Sequence, residues 1–135
     1  MIKCAKAVLY FAGDRDSFGK DAEVAMAMSL GKPVIILCPD TPAGRQRERM
    51  FRDIHPLSRL IEFRTGVPIG AMVTTKREQA AELLARLFSN RMEYDLEQAK
   101  SYFRVKERMT GSVVRLQTSD RLIRETFFNY YHGIP

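Results

Sequence analysis

An acidic stretch near the N-terminus, GDRDSFGKDAE, brings carboxylates close to glycines. The acidic residues are Asp14, Asp16, Asp21 and Glu23, and the glycines are Gly13 and Gly19. A carboxylate can accept a hydrogen bond from a ribose hydroxyl, stabilise positive charge on a sugar carbon, or attack that carbon as a nucleophile. Glycine allows the backbone to come close to a ligand. These residue types fit two interpretations. They form either a sugar-binding site or the ordinary start of a helix with solvent-exposed acidic side chains.

The elements around this stretch predict where it lies. The apolar run 5–13 is typical of a strand buried on both faces. A polar turn follows, in which Asp16 or Ser17 can cap a helix that ends near Gly31. The run 32–38 predicts the next strand. Strand, helix and strand form a βαβ unit, whose crossover we expect to be right-handed.

In an open parallel sheet, ligands bind beyond the carboxyl ends of the strands, beside the loops that lead into helices. The acidic stretch is such a loop, and the helix N-terminus after it offers backbone N–H groups to an anion. Glu23 is expected near the mouth of this site. The spacing is not diagnostic by itself, and residue types alone favour the solvated helix over the site.

Residues 7–37 also resemble a known group, the nucleoside 2-deoxyribosyltransferase-like and TIR-like α/β domains. The resemblance consists of an apolar strand, an acidic loop, a glycine shortly before a glutamate, an alanine-rich helix and Gly-Lys-Pro-Val entering the next strand. In this sequence the matching residues are Val8 to Ala12, Asp14, Asp16, Gly19, Glu23, Ala25, Ala27 and Gly31 to Val34.

The resemblance implies an activity and a set of site residues. Enzymes of this group cleave or transfer across the N-glycosidic bonds of nucleosides or NAD, which would be substrates, and no cofactor or metal is expected. Glu23 would be the catalytic carboxylate, with Asp16 and Gly19 near the sugar. Gly13, Asp14 and Asp21 complete the predicted substrate-binding residues.

The sequence departs from the group in ways that affect the expected pocket. Ala25 stands where a glycine is usual, and the chain contains no tryptophan, which many TIR-like sites pair with the glutamate. The group's first βα unit, which forms the opposite wall of the pocket, has no counterpart before residue 4. The chain is therefore expected to be an N-terminally truncated fragment, or a module whose pocket is completed by a partner chain or by a second copy in a homo-oligomer.

The rest of the chain predicts further alternation of helices and strands. Helices are predicted at 45–54, 76–90, 91–109 and 119–132, and strands at 57–63 and 110–118. The helix at 76–90 has a clear apolar face consisting of Ala80, Leu83, Leu84, Leu87 and Phe88. The expected fold is a single domain, 1–135, of class α/β. It has three layers with a mostly parallel sheet, flavodoxin-like or TIR-like, and a helical C-terminal half.

Composition leaves alternatives open. The net charge of +6 and pI near 9.6 permit an anionic partner. Arg45, Arg49 and Arg52 would share one side of a helix, which is usually a solvated face and less often a nucleic-acid contact. A non-catalytic, self-assembling or ligand-sensing module is the main alternative to an enzyme. Cys4 and Cys38 fall in two different predicted strands and are expected to be reduced and buried. With no membrane span or signal peptide in the pattern, a cytoplasmic location is expected.

Overall fold

The structure is a computed structural model that describes residues 2–13, 15, 17–53, 61–62, 68–69, 71–98 and 102–118. Its helices are α1 (Phe18–Ser29), α2 (Pro42–Asp53) and α3 (Arg77–Phe88), preceded by a 3₁₀ turn at Ile2–Cys4. Its strands are β1 (Val8–Phe11), β2 (Val34–Leu37), β3 (Ile61–Glu62), β4 (Pro68–Ile69), β5 (Met72–Thr74), β6 (Tyr94–Gln98), β7 (Tyr102–Glu107) and β8 (Val113–Thr118).

A parallel sheet of order β1-β2-β5 organises the N-terminal half. All four residues of β2 are buried, as expected for a central strand covered on both faces. One apolar cluster joins alternate strand residues such as Ile36 and Val73 to Val24 and Met28 of α1 and Phe51 of α2. The other strand residues, Ile35, Leu37 and Met72, pack with Ala80 and Leu83 of α3. Helices therefore cover both faces of this sheet, which confirms the α/β class.

The end of α1 follows the predicted rule for glycine. Gly31 has a φ of +72°, the left-handed conformation that glycine adopts most easily. Lys32 then folds back, and its Nζ donates to the carbonyl oxygens of Lys3 and Ala5, which ties the 3₁₀ turn to the entrance of β2. Through Lys32, the Gly-Lys-Pro-Val segment therefore connects the end of α1, the 3₁₀ turn and the start of β2.

The prediction of a helix at 91–109, and with it a helical C-terminal half, is wrong. This segment contains β6 and β7, which belong to an antiparallel sheet of order β3-β4-β8-β7-β6. Charges of opposite sign face each other across the β6–β7 pair, with Glu97 opposite Arg104 and Asp95 opposite Lys106. Hydrogen bonds from Arg104 and Lys106 hold the pKa of Glu97 below its usual value. Cross-strand pairs of this kind stabilise a sheet.

Other predictions have mixed outcomes. The strand at 110–118 is confirmed as β8, the helix at 76–90 as α3, and α2 begins earlier than predicted, at Pro42. Phe88 was assigned to the apolar face of α3 but is largely exposed. Cys38 is buried just after β2, whereas Cys4 is exposed in the 3₁₀ turn and not in a strand. The predicted helix at 119–132 lies outside the described residues.

Candidate functional site

The carboxyl ends of the three parallel strands lie at one edge of the sheet, and each leads into a helix. β1 leads to α1, β2 to α2, and β5 to α3. The N-termini of three helices, whose first backbone N–H groups have no hydrogen-bond partner within the helix itself, therefore follow the same edge. This is the edge at which the sequence predicted a site.

The start of α1 is set by Ser17. Its Oγ accepts a hydrogen bond from the backbone N–H of Lys20, at 3.4 Å, and its backbone is extended. Of the two caps proposed from sequence, Ser17 is the one confirmed. This cap fixes the register of Gly19, Asp21 and Glu23 on the helix.

Asp21 faces the sheet. Its Oδ1 accepts a hydrogen bond of 3.1 Å from the hydroxyl of Tyr10, and Tyr10 is buried at the core of β1. The ring of Tyr10 meets Phe51 of α2 edge-on at 5.9 Å, and the guanidinium of Arg47 lies 5.4 Å from the centre of the Phe51 ring. These contacts link the first turn of α1 to α2 through Tyr10 of β1. Asp21 thus has a structural partner, while its role in substrate binding stays a prediction.

Glu23 is exposed on α1. It lies two residues after Asp21, so it points to a different side of the helix, and one turn after Gly19, which shares its side. Because helical side chains lean toward the N-terminus, we expect the carboxylate of Glu23 to lie over the turn that contains Gly19. A Cβ added at Gly19 would meet nothing within 4 Å. The surface beside Glu23 is therefore open at Gly19.

The other predicted site residues have different outcomes. Gly13 follows β1, is half-buried, and a Cβ added there would also meet nothing within 4 Å. Asp14 and Asp16 lie outside the described residues. The structure therefore brings Gly13, Gly19, Asp21 and Glu23 to one βα connection, with Asp21 and Glu23 on different sides of α1.

The loop between β2 and α2 lies at the same sheet edge and is packed tightly. A Cβ added at Gly44 would come within 1.7 Å of the carbonyl oxygen of Pro39, so only glycine fits there. Thr41 directly precedes α2, and its Oγ1 accepts from the backbone N–H of Gly44 at 3.0 Å. At the end of β5, the third strand of the parallel sheet, the buried Thr74 hydroxyl accepts from the backbone N–H of Lys76 at 3.1 Å. Both connections are fixed by local hydrogen bonds.

The arginines of α2 make contacts within the chain. Arg52 donates from Nη2 to the carbonyl oxygen of Val73 at 2.7 Å and from Nε to Glu48 at 3.2 Å. Arg45 pairs with Asp40 at 3.0 Å on the exposed surface. Arg52 therefore attaches α2 to β5, a structural role that the predicted solvated face did not include.

Cys38 directly follows β2, near this edge. Burial, followed by the negative charge of Glu48, raises the pKa of its thiol to about 11. A thiol with this pKa is protonated at neutral pH, and the thiolate is the nucleophilic form. Cys38 is therefore a core residue and a poor nucleophile.

Two findings on the described part of the chain bear on ligands and on membranes. Across the described ranges, no cluster of three or more His, Cys, Asp or Glu side chains could hold a metal ion. Within the same residues, no helix combines the length and apolar character needed to cross a membrane.

Comparisons with protein-family models, with curated proteins and with solved structures give no match to this chain.

Sequence reasoning missed the chain of contacts from Asp21 through Tyr10 and Phe51 to Arg47. Tyr10 lies in the run 5–13, for which the sequence predicts only a buried strand, and Phe51 lies in the predicted helix 45–54. A signal was present, because a buried tyrosine usually finds a hydrogen-bond partner for its hydroxyl. Asp21, in the first turn of the next helix, supplies that partner.

Proposed function

We propose that this chain is a nucleotide- or nucleoside-binding domain that acts at an N-glycosidic bond, with Glu23 as the carboxylate. The finer fold class, a flavodoxin-like or TIR-like domain, belongs to the same proposal, as does a cytoplasmic location. The observation that supports the role of Glu23 is the open surface at Gly19, one turn before the exposed Glu23.

Glycine at this position needs an explanation. Where alanine can adopt the same backbone conformation, replacing glycine with alanine stabilises a protein by roughly 0.4–1 kcal/mol, because the unfolded chain loses conformational freedom. Packing within the described chain does not require it, since an added Cβ would touch nothing. Gly44 is the contrast, because there the contact with Pro39 excludes any side chain. A ligand that lies against the backbone of α1 beside Glu23 would account for Gly19.

The chemistry follows from an exposed carboxylate beside open space. When an N-glycosidic bond breaks, the base leaves with the bonding electron pair, and positive charge develops on the sugar carbon. Glu23 would stabilise that charge or form a bond to the carbon, and water or a second base would then complete hydrolysis or transfer. Backbone N–H groups at the start of α1 would bind an anionic group of the ligand.

Replacing Gly19 with alanine separates this proposal from a structural account. We expect Gly19→Ala to raise the free energy of unfolding by about 0.5–1 kcal/mol and to weaken binding of NAD or a nucleoside about tenfold. Equilibrium dialysis against a panel of nucleosides and NAD measures the binding, and urea unfolding measures the stability.

Two controls frame that experiment. Gly44→Ala is expected to destabilise the fold, because its Cβ would overlap Pro39. Glu78→Gln, at an exposed glutamate of α3, should leave binding unchanged. Unchanged binding in Gly19→Ala, or binding of no member of the panel by the parent protein, would contradict the proposal.

A further inference from the structure

The exposed surface at the start of α1 carries a positive charge beside Glu23. Lys20 lies three residues before Glu23, and residues three apart on a helix are neighbours, with Cβ atoms about 5–6 Å apart. Gly19 directly precedes Lys20 and lies one turn before Glu23. All three residues are exposed. An ammonium group and a carboxylate therefore lie beside the open surface at Gly19.

A contact with the sheet places the ammonium group of Lys20. Its Nζ donates to the carbonyl oxygen of Phe11, at 3.5 Å. Phe11 is the last residue of β1, so its carbonyl lies at the carboxyl edge of the parallel sheet. The connection from β1 to α1, with Gly19 and Glu23, begins at this edge. The charge of Lys20 and the candidate site are therefore at the same end of β1.

The contact between Lys20 and β1 is one that a ligand can replace. Its length, 3.5 Å, lies outside the range of about 2.7–3.2 Å that is usual for an N–H···O bond. A phosphate oxygen, which carries negative charge, accepts from an ammonium group at about 2.7–2.9 Å. Exchanging the neutral carbonyl of Phe11 for a phosphate oxygen would therefore shorten the hydrogen bond and add attraction between opposite charges.

The carboxylates of α1 leave Lys20 available. α1 contains three charged residues, Lys20, Asp21 and Glu23. Asp21 directs its carboxylate to the hydroxyl of Tyr10, on the side of the helix that faces the sheet. Within the part of the chain that the structure describes, Lys20 and Glu23 make no ion pair with each other. These two are therefore the charged side chains that α1 presents to a ligand at Gly19.

We propose that the substrate of this site carries a phosphate group, as in a nucleoside 5′-monophosphate, and that Lys20 binds it. This inference rests on the proposed function, because it names the substrate class of the same site. In a nucleotide, one ribose ring separates the glycosidic carbon from the 5′-phosphate. With the sugar against Gly19, the glycosidic carbon lies at Glu23 and the phosphate at Lys20. A nucleoside without phosphate leaves Lys20 on the Phe11 carbonyl.

Matched pairs of ligands measure the contribution of the phosphate. Equilibrium dialysis compares adenosine, guanosine, cytidine and uridine, each with its 5′-monophosphate. We expect the parent protein to bind the preferred monophosphate about tenfold more tightly than the matching nucleoside. This preference should shrink as salt is added, because exposed charges are screened. Inorganic phosphate alone should bind more weakly than the monophosphate, because it lacks the contacts of the sugar.

Three variants test whether Lys20 provides this preference. Lys20→Gln should bring the ratio of the two affinities close to one, whereas Lys20→Arg should keep it, because arginine retains the charge and donates to phosphate. Lys76→Gln is the matched control and should also keep the ratio. Lys76 is an exposed lysine directly before α3, which covers the opposite face of the sheet from α1. A variant that is partly unfolded weakens both ligands equally, so the ratio reports the phosphate contact.

The contrary results separate this inference from the proposed function. Equal affinity of the parent protein for nucleosides and monophosphates would overturn the inference and leave the proposed function standing. The same holds for a full preference in Lys20→Gln, or for a preference lost equally in Lys76→Gln. Inorganic phosphate that binds as tightly as the monophosphates would overturn the nucleotide as substrate class. Binding of no ligand by the folded parent protein would overturn both proposals.

Discussion

At the scale of single residues, burial separates side chains that can react from those that cannot. Glu23 and Cys4 are exposed, whereas Cys38 is enclosed between β2 and α2. Asp21 is two residues from Glu23 but is held by Tyr10. The position of each group on its helix or strand therefore decides whether solvent or a ligand reaches it.

The two cysteines should differ in their reactivity. Because burial raises the pKa of Cys38 to about 11, a thiol reagent at neutral pH should modify Cys4 in the folded protein and Cys38 only after unfolding. Intact mass measured over time, with and without denaturant, counts the modified thiols. Two thiols modified at the same rate in the native protein would contradict the enclosed position of Cys38.

The same pKa gives a dependence on alkaline pH. Between the ordinary value of 9.0 and about 11, folded Cys38 keeps a proton that the unfolded chain releases, so its contribution to stability falls as pH rises through this range. Cys38→Ala removes that contribution. The free energy of unfolding of the parent protein should fall more steeply above pH 9.0 than that of the variant. If the free energy of unfolding changed equally with pH in the two proteins, ionisation of Cys38 would not contribute to the pH dependence of stability.

At the scale of elements, a buried carboxylate organises the turn between β7 and β8. Glu107 is 1% exposed, and its oxygens accept from the backbone N–H groups of Met109 and Thr110 and from the Thr110 hydroxyl, at 2.6–2.7 Å. Thr110 also bonds Ser112, whose Oγ accepts from the N–H of Val73 in β5. This turn therefore joins the antiparallel sheet to the parallel sheet.

Glu107→Gln should destabilise the protein by about 1–3 kcal/mol, because an amide NH₂ group replaces one oxygen that accepts from buried donors. Glu93→Gln is the matched control, at an exposed glutamate that pairs with Arg108 at 3.5 Å, and should cost under about 1 kcal/mol. Urea unfolding of both variants measures the difference. Equal losses would show that the Glu107 network contributes little.

The elements also show where sequence patterns suffice. The βαβ unit was predictable, because apolar runs bounded by a cap and a glycine have few alternatives. The segment 91–109 was not, because a helical stripe of Met92, Leu96, Ala99 and Phe103 coexists with an alternation of period two. In EYDLE (93–97) and RVKER (104–108), acidic residues alternate in the first run and basic residues in the second. The pairing of these runs is a tertiary effect, and it overrides local helix propensity.

At the scale of the whole molecule, the parallel sheet does two separate things. The N-termini of three helices follow its carboxyl edge, where Gly13, Gly19 and Glu23 also lie. One of its two edge strands, β1, exposes Leu9 and Phe11 on one face. The location of the candidate site followed from the sequence, because parallel strands place their carboxyl ends together. The open surface at Gly19 and the exposed face of β1 depend on tertiary packing, which local sequence patterns do not show.

The proposed activity depends most on Glu23, and release of the base from NAD and from a panel of nucleosides tests it most directly. Chromatography follows the parent protein, Glu23→Gln and Glu78→Gln side by side, with folding checked by circular dichroism. We predict release by the parent and by Glu78→Gln, and a loss of at least about a hundredfold in Glu23→Gln. Release that is unaffected in Glu23→Gln, or no release by the folded parent protein at high concentration, would contradict it.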